Sequence, residues 1–151
     1  MAADPKILLI LQALSARLAA IRDTDDAYHT DIGRYVQRGR HRLPAPPACA
    51  IYLDSQTVTA AAPARTLIEA SIAVEAYSRF EDDEPEDVAC RMLEDIRVAV
   101  ESTDRTLGGL LHLGEQLGIA FEQGDITYPE DQDSIVGVRV VYTAPYIRKA
   151  D

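Results

Sequence analysis

A chain of 151 residues is long enough for one domain with one substantial core, and its 47% hydrophobic content sets it apart from disordered sequences. A formal charge of −10 argues against wrapping nucleic acid, which needs a basic footprint, although it does not exclude a protein that DNA slides past. No apolar run approaches the roughly 20 residues of a membrane span.

In chain order, the opening MAADPKILLILQAL carries Asp4 ahead of Lys6 and shows no clean cleavage site, so it reads as a structural helix rather than a signal peptide, pointing to a cytoplasmic origin. Asp4 is the expected N-cap and Pro5 the first helical residue, with the helix continuing from Ile7 to Ile21. Leu8, Leu11, Leu14, Leu18 and Ile21 form its apolar stripe. That much apolar surface suits a helix lying across a sheet, or partly against another subunit. The run Asp23 to Asp26 breaks the helix. A short strand is expected around Ile32 to Gln37, followed by a loop whose LPAPP segment cannot sit centrally in a sheet. ACAIYLDS, from Ala48 to Ser55, reads as a strand, and QTVTAAAP as a hairpin connection or an extended arm.

The stretch from Ala64 to Ser102 organises the rest. Ile68, Ala70, Ile72, Val74, Ala76 and Phe80 fall on one side of a period-2 strand. Arg65, Glu69, Ser71, Glu75, Tyr77 and Arg79 fall on the other, so one face is buried and one wetted. Six acids in seven residues follow, Glu81 to Asp87, around a proline suited to a first helical turn. A helix then carries Val88, Met92, Ile96 and Val100 at helical spacing, widened by Ala89, Leu93 and Ala99. Beyond a Gly-Gly turn, strands are expected within EQLGIAFEQGDITY and over Ser134 to Ile147. The order helix, two strands, long strand, helix, two strands predicts a single domain over residues 1–151. Its class is α+β, a mostly antiparallel sheet of about four to five strands with two helices packed on one face.

Chemistry-bearing motifs are sparse. The acidic run lacks the ligand spacing and turn glycine of a calcium loop, and a solvated helix start accounts for it. His29, His41 and His112 have no partner at metal-ligand spacing, and Cys49 and Cys90 read as buried free thiols. No nucleophile elbow, phosphate loop or dinucleotide fingerprint is present, so neither catalysis nor a cofactor or metal is expected. The basic concentration at Arg34, Arg38, Arg40 and Arg42 has an obvious complement in Asp82, Asp83 and Glu84. These arginines are expected to face those carboxylates on a neighbouring copy.

The ordered succession ILLILQALSARLAAI, YHTDIGRYVQRGRHRLPAPPACAIYLD, LIEASIAVEAYSR, VACRMLEDIRVAV, LGGLL and VRVVYTAPY resembles the tail terminators among the minor tail proteins of long-tailed phages and prophages. The resemblance spans nearly the whole chain and lies in the order of its parts. It implies a non-enzymatic ring, typically a hexamer, that caps the head-proximal end of the tail tube, stops its polymerisation and presents a surface to the filled head. The implied partners are other copies of the chain, the tail-tube protein and a head-completion or connector protein. DNA would pass through without specific binding, and no membrane is involved. The implied location is the virion tail, assembled in the host cytoplasm. Other head–tail joining or tail-completion proteins share this size and class, and a small α+β ligand-binding or enzymatic domain is the reading from a different class.

Overall fold

The computed structural model describes residues 2–39, 45–113, 118–130 and 134–149. Helix α1 spans Lys6–Leu18, and a 3-10 turn at Ile32–Arg34 leads into strand β1, Val36–Arg38. Strands β2 (Ala48–Ala62) and β3 (Arg65–Arg79), helix α2 (Pro85–Glu101), and strands β4 (Ala120–Thr127) and β5 (Ile135–Lys149) follow. One sheet holds all five strands in the order β1-β2-β3-β5-β4. Only β1 and β2 pair in parallel; the other neighbours are antiparallel.

The central strand is β3, the one marked out by its alternation. It pairs with β5 along its whole length, from Arg65 opposite Lys149 to Arg79 opposite Ile135. Ile68, Ala70, Ile72, Val74 and Ala76 point into the same core as Val136, Val138, Val140, Tyr142, Ala144 and Tyr146 of β5. Both helices cover that face. Ile10, Leu11, Leu14 and Leu18 of α1 and Val88, Ala89, Met92, Ile96, Ala99 and Val100 of α2 complete one continuous cluster. A single apolar core under two helices is what gives a chain of this size its stability.

Three local expectations need correction. Helix α1 ends at Leu18 rather than Ile21, and the segment around Ile32 is a 3-10 turn before the strand starts at Val36. Both follow from one close approach. The Gly33 amide donates to the Ile21 carbonyl at 2.9 Å. A Cβ on Gly33 would lie 2.4 Å from the carbonyl oxygens of both Leu18 and Ile21, so only glycine lets this turn seat on the end of the helix. Third, the face of β3 expected to be wetted is partly covered. Ala73 is buried there, Tyr77 stacks over Gly137, and Tyr52 lies buried on the strand alongside. The two readings of QTVTAAAP resolve in favour of an arm, because β2 continues to Ala62 and the chain turns only at Pro63–Ala64.

Candidate functional site

The long strands set up two chemically opposite ends. Strand β3 is 15 residues long, so its ends lie about 46 Å apart at roughly 3.3 Å per residue. Each end carries its own charge.

The acidic end is the turn from β3 into α2. Residues 81–84 are exposed, and the turn is held by the Asp83 amide donating to the Phe80 carbonyl at 2.8 Å and the Phe80 amide donating to Ser134 at 3.2 Å. Glu81 adopts a positive φ of 49°, which lets the chain reverse before the helix. Pro85 occupies the first turn of α2, with Glu86 and Asp87 beside it, where carboxylates complement the helix dipole. Within the chain these acids are only lightly neutralised: Arg91 approaches Asp83 at 3.6 Å. Glu86 accepts the Tyr128 hydroxyl at 3.0 Å, and that bond raises the Tyr128 pKa.

The opposite end is basic. Arg65 sits across from Lys149, and Thr66 across from Arg148, in the β3–β5 register. Lys6, at the start of α1, donates to the Ile147 carbonyl at 3.1 Å. Both lysines of the chain are therefore at this end. Like charges set opposite each other on adjacent strands are mildly destabilising. Among the described residues, none of Lys6, Arg65, Arg148 and Lys149 has a carboxylate within ion-pair distance.

Here the sheet outruns its helices. The β2–β3 hairpin projects as an arm, with every residue from Asp54 to Ala62 exposed and Val58 60% exposed. Two irregularities interrupt the β2–β3 pairing, at Leu53/Ser55 and Val58/Ala60, where such bulges locally increase strand twist. Between the arm and the start of α1 runs an open groove of about 600 Å³. Ile68 and Tyr146 form its apolar floor, Ile7 and Leu9 its wall, and Lys6, Arg148, Lys149 and the lone acid Asp4 its charged margin. Gln56 donates to the Tyr146 hydroxyl at 2.6 Å, fixing the arm against β5.

The arginines singled out in the sequence are dispersed. Arg34 is exposed and lies 3.8 Å from Asp31 of its own turn. Arg38 is on β1, at the edge of the sheet, beside Leu11, Ile51 and Leu53. Arg40 and Arg42 lie outside the described residues. Asp82, Asp83 and Glu84 are exposed together, as an acidic contact surface requires, with Asp83 partly engaged by Arg91.

Sequence reasoning missed two internal polar clusters. Asp95, with no exposed surface, accepts hydrogen bonds from the His29 and Thr30 amides and the Thr30 hydroxyl, at 2.6 to 3.1 Å. It stands three residues after Met92 and four before Ala99, on the apolar face, and that spacing was the available signal. Glu101 receives both Arg97, at 2.7 Å, and the Tyr142 hydroxyl, at 2.9 Å. Burial alone would raise the Glu101 carboxyl, but the bonds from Arg97 and Tyr142, with Arg105 nearby, carry it below its ordinary value. Arg97 also lies 4.1 Å over the Phe121 ring, whose edge meets Tyr142. The cysteines differ from expectation as well: Cys49 is buried, whereas Cys90 is exposed on α2. Position 90 sits just outside the buried stripe that takes Ala89 and Met92, which turns its thiol to solvent.

Among the described residues, no three His, Cys, Asp or Glu side chains converge as metal ligands, and no helix is long and apolar enough to cross a membrane. No protein-family model matches the chain, and no curated protein matches it.

Proposed function

We propose that this chain is a structural protein of phage or prophage tail assembly, a tail terminator that forms a ring on the head-proximal end of the tail tube. The observation that carries this reading is the segregation of opposite charge to the two ends of one rigid sheet, with an open groove and a projecting arm at one of them. Surfaces so arranged are not self-complementary, so copies join head to tail, and such contacts close into rings when the rotation per copy allows. The ordered resemblance of the sequence to tail terminators supplies the biological setting, the virion tail assembled in the host cytoplasm.

The mechanism is capping. A ring complementary to the last tube ring on one face, and unlike it on the other, leaves no template for a further tube layer and offers the second face to the head connector. A net charge of −10 keeps such a ring from gripping the phosphates of passing DNA.

Negative-stain images of the purified protein should contain closed rings, and its addition to polymerising tube protein should arrest elongation. A protein that leaves tube length unchanged over a wide excess is not a terminator. Arrest of head joining with normal tube length would point instead to a joining or completion protein.

A further inference from the structure

We propose that the groove between the start of α1 and the β2–β3 arm receives the acidic turn at residues 81–84 of a second copy of this chain. The inference rests on the ring reading and names the two surfaces that would meet.

The groove has two of the properties that a turn of this kind needs. Its floor is apolar, from Ile68 and Tyr146, and Leu9 leaves 37% of its surface open at the wall. Its margin is predominantly cationic, with Lys6, Arg148 and Lys149 lining it against a single carboxylate, Asp4. The turn supplies the complement: consecutive exposed carboxylates beside the half-buried Phe80 and Pro85. It is pre-organised by its own backbone bonds, so little conformational freedom is lost on docking.

The contact has to be between molecules. The turn and the groove sit at opposite ends of β3, about 46 Å apart at roughly 3.3 Å per residue, joined by a sheet that cannot fold back on itself. A second copy is also the occupant that best explains why these cations have no ion-pair partner among the described residues. An incoming carboxylate cluster would supply Lys6, Arg148 and Lys149 with counter-charges at the groove margin. Because turn and groove are different surfaces, each copy gives one and accepts one, the arrangement that lets a ring close.

A charge swap on the full-length protein tests this. One variant reverses the groove (K6E/R148E/K149E) and the other reverses the turn (D82K/D83K/E84K). All six positions lie outside the core, and circular dichroism checks that each variant is folded. Each alone should self-associate at least about 100-fold more weakly than wild type by sedimentation velocity, because like charges then face each other. Mixed in equal amounts, the two should restore association, since each groove now meets a turn of opposite sign. Unchanged association of either variant alone, or failure of the mixture to recover, overturns the docking. If one variant misfolds, the wild-type protein still decides: raising salt from about 0.05 to about 0.5 M should shift it strongly toward monomer, and a flat response overturns the proposal. Wild-type rings with a failed swap refute this contact and leave the ring reading intact. A successful swap that yields only open chains without capping upholds the contact and refutes the cap.

Discussion

Replacing Asp95 by alanine tests whether a single buried carboxylate fastens the segment before β1 to helix α2. Asp95 is fully buried and satisfies the Thr30 amide at 2.7 Å, the Thr30 hydroxyl at 2.6 Å and the His29 amide at 3.0 Å. Hydrogen bonds to a charged group contribute about 1.5–3 kcal/mol each. His29 is exposed, so its amide regains water in the variant, whereas Thr30 is only 8% exposed and its two donors stay buried. Two stranded donors at the lower figure give a loss of about 3 kcal/mol. For a domain of this size, at roughly 2–4 °C per kcal/mol, the melting temperature should fall by about 6–12 °C. Thr30→Val removes only the hydroxyl bond to the same carboxylate and should cost about 1.5 kcal/mol. The two changes share one bond, so the double variant should lose less than their sum, by about 1.5 kcal/mol. Thermal and urea denaturation measure all three. A loss under about 1 kcal/mol for Asp95→Ala, or strict additivity with Thr30→Val, would falsify this account of the clasp.

The other expectations follow from single contacts. Gly33→Ala should destabilise more than Gly137→Ala, because a Cβ at 33 meets fixed carbonyls at 2.4 Å, while one at 137 meets the Tyr77 ring at 2.6 Å, which can tilt away. Urea midpoints in the reverse order would contradict this. Glu101 has its folded-state pKa lowered, so its contribution is complete above the unfolded value near 4.5 and disappears as pH falls through the lower folded value. Glu101→Gln should therefore be less stable than wild type at neutral pH, with the difference narrowing in acid; a pH-independent difference counts against the network. Cys90 is exposed, while burial pushes the Cys49 thiol up to about 12. A thiol reagent should modify one cysteine per chain quickly and the second only on unfolding. Two fast equivalents would mean that β2 is not protected as described.

Much of the fold was legible because its elements keep strict periods. The alternation of Ile68 to Ala76 marked the central strand and which of its faces is buried, and the spacing of Val88 to Val100 marked the second helix correctly. What was not legible depends on chain segments meeting across the fold. Nothing local to Ile32 or Gly33 announces that Gly33 will press on the end of α1. Asp95 sits at the spacing of the apolar stripe, but nothing local to it reveals its donors, which belong to residues 65 and 66 positions earlier. The proposed contact was half legible: the acids formed a visible run, but Lys6, Arg65, Arg148 and Lys149 are scattered in sequence and are brought to one end of the sheet by the β3–β5 register and the bond from Lys6 to Ile147. The arginine-rich loop drew attention because its charges are contiguous, which is a property of the chain rather than of the surface.

The arm has a consequence for how the protein behaves when concentrated. Its outer edge, beyond the short β1, has no strand partner among the described residues along SQTVTAAA, an uncharged and strand-prone sequence of the sort that recruits foreign strands into aggregates. Asp54 and Thr59 are the extra residues at the two breaks in register, where the ladder skips from Leu53 to Ser55 and from Val58 to Ala60. They cut this edge into short lengths, so an intruding strand loses its alignment before it gathers enough bonds to stay. The irregular pairing that shapes the arm thereby also works against edge-to-edge aggregation.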